Sequence, residues 1–273
     1  MCDADYGLLI MLKTPPSALE NIEQITRQIQ NKHLVVFLDY DGTIVPIVDR
    51  PAHAVLLIRM RETLRSLAKK YTVVIVSGRD LADVHTLVML ENIFYAGNHG
   101  FDIAGPAERN IRLSLGTDFS SELDDMEQSL REHLKNINGI FVERKKYSIA
   151  IHYRLVAQNY IKTIKSIVDK IMAHHPRLRK TFGKKILELQ PDIDWNKGKA
   201  VCWLLKSIEI NRNNILPLYI GDDTGDESAF HELKDYGVGI RVGEYDHTEA
   251  QFRLKNIAEV KQFLEALIRE EKS

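Results

Sequence analysis

Two closely spaced carboxylates, Asp39 and Asp41, follow an apolar run of the sequence and precede Gly42. One such acid could attack an electrophile while the other donates or accepts a proton. The two like charges repel each other, and a divalent cation would relieve that repulsion. Taken alone, the motif is equally compatible with a solvated turn, because aspartate and glycine commonly follow strands.

The apolar run before these acids predicts the element that positions them. Residues 34–38 are apolar without interruption and include two valines and a phenylalanine, which is typical of a buried strand in a parallel sheet. In open α/β sheets, ligands bind beyond the carboxyl ends of the strands. Both acids therefore lie where chemistry is expected.

Three more polar clusters follow in a fixed order along the chain. They are Ser77-Gly78-Arg79 after the apolar run 73–76, Asn196-Lys197-Gly198-Lys199 at the start of a helical stretch, and Gly221-Asp222-Asp223, with Asp226 and Glu227 close behind, after the run 218–220. Each cluster alone could be an ordinary turn or helix start, and acidic residues are favoured at helix N-termini in any case. Four such clusters in one chain favour a shared catalytic site.

The elements between these clusters alternate between helix and strand. Ser17 and Glu20 have capping-box spacing before a helix that extends to Ile29, and a second helix is predicted over 58–68. After residue 193 we predict a helix at 198–207, a strand at 216–220, a helix at 226–233, a strand at 237–242 and a helix at 257–268. This order predicts an α/β fold with a doubly wound, Rossmann-like parallel sheet.

Residues 107–192 have a different character. Apolar residues at helical spacing predict two helices, and residues 148–154 and 185–189 alternate as half-exposed strands do. We interpret this segment as an inserted α+β cap domain, with a discontinuous core formed by residues 1–106 and 193–273. Lids of this kind exclude water and select the substrate.

In these motifs the sequence resembles the haloacid dehalogenase superfamily of aspartate-dependent phosphatases. More narrowly, it resembles the trehalose-6-phosphate phosphatase family over about residues 17–265, on the four clusters and on the segment Gly97-Asn98-His99-Gly100-Phe101-Asp102. The resemblance implies a haloacid dehalogenase core and the hydrolysis of trehalose 6-phosphate to trehalose and phosphate, the last step of trehalose biosynthesis. The family usually has threonine where this chain has Gly225, which leaves the local loop geometry open.

The resemblance also implies a role for each matched residue. Asp39 would be the nucleophile that forms an aspartyl-phosphate, and Asp41 the general acid and base. Ser77, by its hydroxyl and backbone N–H, and Lys197 would bind phosphate oxygens. Mg²⁺ would be held by Asp39, the backbone carbonyl of Asp41, and Asp222. Asp226 would orient Lys197 or a metal-bound water, or serve as a further ligand.

The substrate-binding residues that follow from the resemblance lie in both domains. They are Thr43, Gly78, Arg79, Asn98, His99 and Gly100 in the core, and Glu143, Lys145, Arg154 and Glu188 in the cap, where charged side chains would hold sugar hydroxyls. We assign His99 no catalytic step. From the residues alone, these charged cap residues are more typical of a solvated face of a small sheet than of a sugar site.

Composition excludes several classes of protein. The 273 residues contain 37 basic and 38 acidic side chains and no long basic run, so nucleic acid is not expected as a partner. The two cysteines, Cys2 and Cys202, exclude a disulfide framework and fit a reducing cytoplasm. The apolar run 8–12 is too short for a membrane span and lacks a basic flank, so we expect no signal peptide.

Three alternatives remain open from the sequence. One is a related sugar-phosphate phosphatase that acts on sucrose phosphate, mannosylglycerate phosphate or a nucleotide sugar derivative. Another is a sensor that binds a sugar phosphate without turnover, although a sensor has no need for both Asp39 and Asp41. A phosphomutase would share the aspartyl-phosphate. A separate trehalose-6-phosphate synthase is implied as a functional partner, because the chain is too short for a glycosyltransferase domain as well.

Overall fold

The computed structural model describes residues 14–30, 32–208, 214–245 and 247–269, so the apolar run 8–12 and Cys2 lie outside the described residues. The α-helices are α1 (Ile22–Ile29), α2 (Ile58–Lys70), α3 (Leu81–Val88), α4 (Ser120–Leu134), α5 (Ile161–Met172), α6 (Lys197–Ser207), α7 (Glu227–Leu233) and α8 (Ile257–Arg269). The strands are β1 (His33–Asp39), β2 (Thr72–Val76), β3 (Phe94–Gly97), β4 (Asp102–Ala104), β5 (Arg112–Ser114), β6 (Phe141–Arg144), β7 (Ile149–His152), β8 (Leu178–Gly183), β9 (Ile186–Pro191), β10 (Ile215–Gly221), β11 (Val238–Val242) and β12 (Phe252–Leu254).

The larger sheet has the strand order β12-β11-β10-β1-β2-β3-β4-β5. The strands from β12 to β3 run parallel, and β4 and β5 extend the sheet in antiparallel pairing. β1 lies between β10 and β2, with Leu38 opposite both Ile220 and Ile75. This arrangement confirms the predicted α/β fold with a doubly wound, mainly parallel sheet.

Both faces of this sheet are buried, which explains the uninterrupted apolar sequence of β1. Leu34, Val36 and Leu38 pack on one side with apolar residues of α2 and α8, whereas Val35 and Phe37 pack on the other with those of α6 and α7. Complete burial of a side chain of this size contributes about 1.5–3 kcal/mol. The loop that carries Asp41 is therefore attached to a strand that is buried on both faces.

The smaller sheet has the strand order β6-β7-β9-β8 and is antiparallel throughout. One face packs on α4 and α5 through residues such as Ile149, Ile151 and Leu187. Alternation along β9 places Glu188 and Gln190 on the opposite face. That polar face is turned toward the carboxyl ends of the larger sheet, because Glu188 lies 2.7 Å from His99 in the loop after β3.

Some short elements differ from the prediction. α1 begins at Ile22 rather than near Ser17, where the hydroxyl accepts from the Glu20 N–H in a preceding turn. β5 belongs to the larger sheet although it lies beyond residue 106, so the core extends past the predicted boundary. Strands of three residues, such as β4, β5 and β12, are too short to show alternation in the sequence. Among the described residues, no helix combines the length and the apolar character that a membrane crossing requires.

Candidate active site

The parallel pairing of β1 with β10 brings together acids that are far apart in the sequence. Asp39 ends β1, and Asp222 directly follows β10. Lys197, the first residue of α6, extends its ammonium group between Asp39 and Asp226 and donates to Asp39 Oδ1 at 2.6 Å and to Asp226 Oδ1 at 2.7 Å. Asp39, Asp222, Asp226 and Lys197 are all buried, with at most 5% of each residue exposed.

The turn after β1 holds Asp39 against Asp222. The Gly42 N–H donates to Val45 O at 2.7 Å, and Gly42 has a φ of +94°. A Cβ atom on Gly42 would lie 2.2 Å from Asp222 Oδ2, so only glycine fits between the two strand ends. The next residue, Thr43, donates its hydroxyl toward both Asp39 and Asp222 at 3.4 Å. The turn therefore positions both carboxylates.

Negative charge exceeds positive charge in this cluster. Carboxylate oxygens of Asp39, Asp222 and Asp226 lie within 4.8 Å of one another. Burial raises the pKa of Asp39 well above its usual value, and the neighbouring Asp226 and Asp222 add to this increase against the opposing effect of Lys197. Burial likewise raises the pKa of Asp222. An all-oxygen, anionic site of this kind fits a hard divalent cation.

Asp226 differs from the other two acids because its oxygens already have protein partners. Oδ1 accepts from Lys197 and from the Tyr219 hydroxyl, each at 2.7 Å, and Oδ2 accepts from the Asp223 N–H at 2.8 Å. Although burial acts in the opposite direction, Lys197 and these hydrogen bonds lower the pKa of Asp226. This geometry favours the predicted orienting role toward Lys197 over direct metal ligation.

Asp41 is held by Arg79. The guanidinium donates from Nε and Nη2 to the two carboxylate oxygens, each at 2.8 Å, and Nη2 also donates to Pro51 O at 3.0 Å. Its carbon lies 5.4 Å from the centre of the Tyr40 ring, a distance typical of a cation–π contact. Each Asp41 oxygen retains a second lone pair that can hold a proton.

The environment of Ser77 corrects one part of the prediction. Its backbone N–H donates to Ala96 O at 2.8 Å, within the connection between β2 and β3, so this group is already used and cannot be assigned to phosphate. The Ser77 hydroxyl accepts from the Arg79 N–H at 3.1 Å. That leaves the hydroxyl proton as the donor that Ser77 could offer to a phosphate oxygen.

The loop between β3 and β4 contacts the smaller sheet through His99. Asn98 and His99 both have positive φ values, of 48° and 55°, an uncommon backbone conformation for residues other than glycine. The Asn98 amide donates to Asp80 Oδ1 at 2.7 Å, whereas His99 Nε2 lies 2.7 Å from Glu188 Oε2 in the smaller sheet. The Gly100 carbonyl accepts from the Trp195 indole N–H at 2.9 Å. Of these loop residues, His99 is the one directed toward the smaller sheet.

Glu188 has three side-chain partners on the polar face of the smaller sheet. Besides His99, it binds Lys145 at 2.9 Å and the Ser148 hydroxyl at 2.7 Å. Although burial acts in the opposite direction, Lys145 and His99 hold the pKa of Glu188 well below its usual value. Lys145 also donates to Gly78 O at 2.8 Å and so reaches the larger sheet. Glu188 therefore organises the contact between the two sheets.

A cavity of about 290 Å³ lies between the two sheets. The predicted site residues that line it are Asp39, Asp41, Gly78, Arg79, His99, Glu143, Lys145, Arg154, Glu188 and Lys197. Thr43, Asn98 and Gly100 do not line it: Thr43 and Asn98 are buried and hydrogen-bonded to other residues, and Gly100 packs against Ala200. Ser77, Asp222 and Asp226 also lie outside the lining, so absence from it does not remove a residue from the site, and the substrate contacts of Thr43, Asn98 and Gly100 stay predictions.

Comparison with known proteins places the chain in a family. A profile of the trehalose-phosphatase family matches residues 37–258. The chain is 39% identical over 265 residues to the probable trehalose-phosphate phosphatase D of Arabidopsis thaliana, a match that covers 93% of this chain and 72% of that protein. It is 37% identical over 281 residues to trehalose 6-phosphate phosphatase RA3 of Zea mays, covering 97% of this chain and 77% of that protein.

The chain belongs to the trehalose-phosphatase family. Its fold is also similar to the C-terminal domain of Candida albicans trehalose-6-phosphate phosphatase, with a TM-score of 0.78, 23% identity and coverage of 94% of this chain and 99% of that one. A sucrose-phosphatase from Synechocystis shares the fold more distantly, with a TM-score of 0.51 and 15% identity over 87% of this chain and 98% of that one. Membership confirms the family resemblance that the motifs predicted.

Several residues at the site of this trehalose-phosphatase were not predicted from sequence. Tyr219 is an apolar-strand residue whose hydroxyl reaches Asp226, and Ser148 reaches Glu188 from the start of β7. Lys184, in the β8–β9 turn, donates to the Asp222 carboxylate. Alternation in the sequence predicted β9. It did not mark Lys184 as a site residue, because a pair of lysines is common in solvated hairpin turns.

Proposed function

We propose that the protein is a trehalose-6-phosphate phosphatase that hydrolyses its substrate to trehalose and inorganic phosphate through a phosphorylated Asp39. The observation that carries the proposal is the buried Asp39–Lys197 contact of 2.6 Å at the wall of the cavity between the two sheets. Family membership supports the substrate, because the curated relatives bear the names of trehalose-phosphate phosphatases.

In the first step, a carboxylate oxygen of Asp39 attacks phosphorus, and the bond from phosphorus to the sugar oxygen breaks. Asp41 transfers a proton to the departing sugar oxygen, which leaves as a hydroxyl of trehalose. In the second step, Asp41 accepts a proton from water as that water attacks phosphorus and restores the Asp39 carboxylate. Covalent catalysis divides one difficult hydrolysis into two easier steps.

The positive groups around Asp39 would stabilise the charge that develops on the phosphoryl oxygens. Lys197 and the Ser77 hydroxyl would donate to these oxygens, and Asp226 keeps the Lys197 ammonium directed at the site. The residues that would hold Mg²⁺ are Asp39, Asp222 and the Asp41 carbonyl. When bound, Mg²⁺ supplies Lewis-acid stabilisation of phosphoryl charge and masks the repulsion between the nucleophile and its substrate.

We further propose that the smaller sheet with α4 and α5 acts as the cap that selects the sugar. Glu143, Lys145, Arg154 and Glu188 line the cavity on this side, where carboxylates can accept from sugar hydroxyls and cationic groups can donate to them. Glu143 Oε2 lies 2.7 Å from His152 Nε2 in the adjacent strand, so His152 would orient it. A cytoplasmic location and a functional link to a separate synthase remain predictions from the sequence.

The test is release of inorganic phosphate from trehalose 6-phosphate, compared with sucrose 6-phosphate and glucose 6-phosphate, in Mg²⁺ and in EDTA. Asp39→Asn, which keeps the shape of the side chain, serves as the blank. We expect metal-dependent release that strongly favours trehalose 6-phosphate and disappears in the variant. Preference for another sugar phosphate would overturn the substrate, and full turnover by Asp39→Asn would overturn the nucleophile.

A further inference from the structure

Lys184 connects the cap to the proposed metal site. It lies in the turn between β8 and β9, and its ammonium group donates to Asp222 Oδ2 at 2.5 Å and to Asp222 O at 2.9 Å. The Asp222 side chain is 4% exposed, whereas that of Lys184 is 45% exposed. A half-exposed lysine of the smaller sheet thus reaches a buried carboxylate at the end of β10.

The other contacts between the two sheets involve different groups of the larger sheet. Lys145 reaches Gly78 O, His99 reaches Glu188, and the Lys146 N–H donates to Asp80 Oδ1 at 2.9 Å. None of these three contacts uses a proposed metal ligand. The Lys184 contact uses Asp222, which is one of them. At this contact, the position of the β8–β9 hairpin and the occupation of the metal site can therefore affect each other.

An ammonium group and a divalent cation held by the same carboxylate repel each other at short distance, so each weakens the binding of the other. We propose that Lys184 is a tethered cation that competes with the divalent cation for Asp222, so that metal binding requires the β8–β9 turn to release this carboxylate. The inference rests on the assignment of Asp222 as a metal ligand in the proposed function. Metal loading and the contact of the hairpin with Asp222 are then mutually exclusive.

The partial exposure of Lys184 fits a contact that can be exchanged. Water can take over the solvation of the released ammonium group, whereas a fully buried lysine would lose its partner without compensation. The backbone carbonyl of Lys184 accepts from Arg154 Nη2 at 2.7 Å, which gives the turn an attachment to the cap that does not involve Asp222. The side chain can therefore leave the carboxylate while the hairpin stays attached to the cap.

The test is calorimetric titration of Mg²⁺ into the substrate-free protein. Lys184→Met keeps the length of the side chain and removes its charge, and we expect it to bind Mg²⁺ about three- to tenfold more tightly than the unsubstituted protein. Lys185→Met removes the same charge from the neighbouring turn residue, whose ammonium group is exposed and does not bind Asp222, and should change the affinity less than about twofold. Lys184→Arg, which keeps the charge, should bind Mg²⁺ no more tightly than the unsubstituted protein.

Asp222→Asn separates this inference from the proposed function. If the unsubstituted protein binds Mg²⁺ and Asp222→Asn does not, the metal ligand is established, and an unchanged or weaker affinity in Lys184→Met then overturns the competition alone. An equal gain in Lys185→Met also overturns it, because the effect would be general electrostatics. Absence of Mg²⁺ binding in the unsubstituted protein overturns both assignments. Thermal melting of each variant verifies that it is folded.

Discussion

Gly42→Ala tests whether the turn after β1 sets the position of Asp222. Gly42 has a φ of +94°, and an alanine Cβ there would lie 2.2–2.4 Å from three atoms of the Asp222 carboxylate group. Forcing alanine into a left-handed conformation costs about 1–2 kcal/mol. Gly243→Ala is the matched control, because Gly243 has a φ of +78° and its Cβ would meet nothing within 4 Å.

The clash adds to that backbone cost, because the Asp222 side chain must rotate away from Gly42. It would leave its bonds with Thr43 and Lys184, and an off-rotamer side chain costs about 0.5–1.5 kcal/mol. We therefore expect Gly42→Ala to lose about 2–4 kcal/mol of unfolding free energy, against about 1–2 kcal/mol for Gly243→Ala. Displacing the carboxylate that is proposed to hold the charge-stabilising cation should also lower kcat by about 10²–10³-fold in Gly42→Ala alone.

Two assays decide the outcome. Urea unfolding gives the stability of both variants, and phosphate release over a range of Mg²⁺ concentrations gives kcat and the metal dependence. If Gly42→Ala keeps kcat and Mg²⁺ dependence within threefold of the unsubstituted protein while Gly243→Ala behaves the same way, Asp222 does not need its present position. The proposed ligand set would then be incorrect.

Three further predictions concern charged groups. Lys197→Met should lose about 3–5 kcal/mol in urea unfolding and nearly all phosphate release, because two buried carboxylates lose their shared cation. Lys199→Met removes only a surface pair with the exposed Asp194 and should cost no more than about 1 kcal/mol, and similar losses in both would contradict the site. Since the folded-state pKa of Glu188 lies well below its unfolded value, its ionised form stabilises the fold at higher pH, and this contribution disappears as the pH falls through the folded-state pKa. The unfolding free energy of Glu188→Gln should therefore fall less steeply with decreasing pH than that of the unsubstituted protein. An equal slope in the two proteins would refute this. Arg79→Lys should lower kcat about 10–100-fold in steady-state kinetics, since a lysine cannot hold both oxygens of Asp41, and an unchanged kcat would remove Arg79 from positioning the acid.

The sequence predicts the site best where one strand places the residue. Asp39 and Asp222 follow long apolar strands, and the pairing of neighbouring parallel strands brings their carboxyl ends to one edge. Lys197 is equally predictable, because it begins a helix whose N-cap, Asn196, accepts from the Lys199 N–H at 2.9 Å. In each case a local pattern and the sheet topology together determine the position.

Other features depend on contacts that no local pattern encodes. The Ser77 N–H is used by Ala96 of the next strand, which follows from the pairing of the β2 end with β3 and not from the Ser-Gly turn. Likewise, β5 joins the larger sheet only because β4 offers it an edge, so the predicted domain boundary at residue 106 missed it. Lys184 meets Asp222 because the cap is folded over the strand ends. Such residues are found from tertiary structure alone.

The charges of the site bear on the proposed exchange of Lys184 for a divalent cation at Asp222. Three buried carboxylates, those of Asp39, Asp222 and Asp226, face the ammonium groups of Lys197 and Lys184, which leaves one negative charge in excess. Burial raises the pKa of Asp39, the group that must be an anion to attack phosphorus, and the neighbouring acids add to this increase. A divalent cation in place of the Lys184 ammonium would balance the charge and favour ionised Asp39. The exchange at Asp222 would therefore activate the nucleophile in the same event that releases the hairpin.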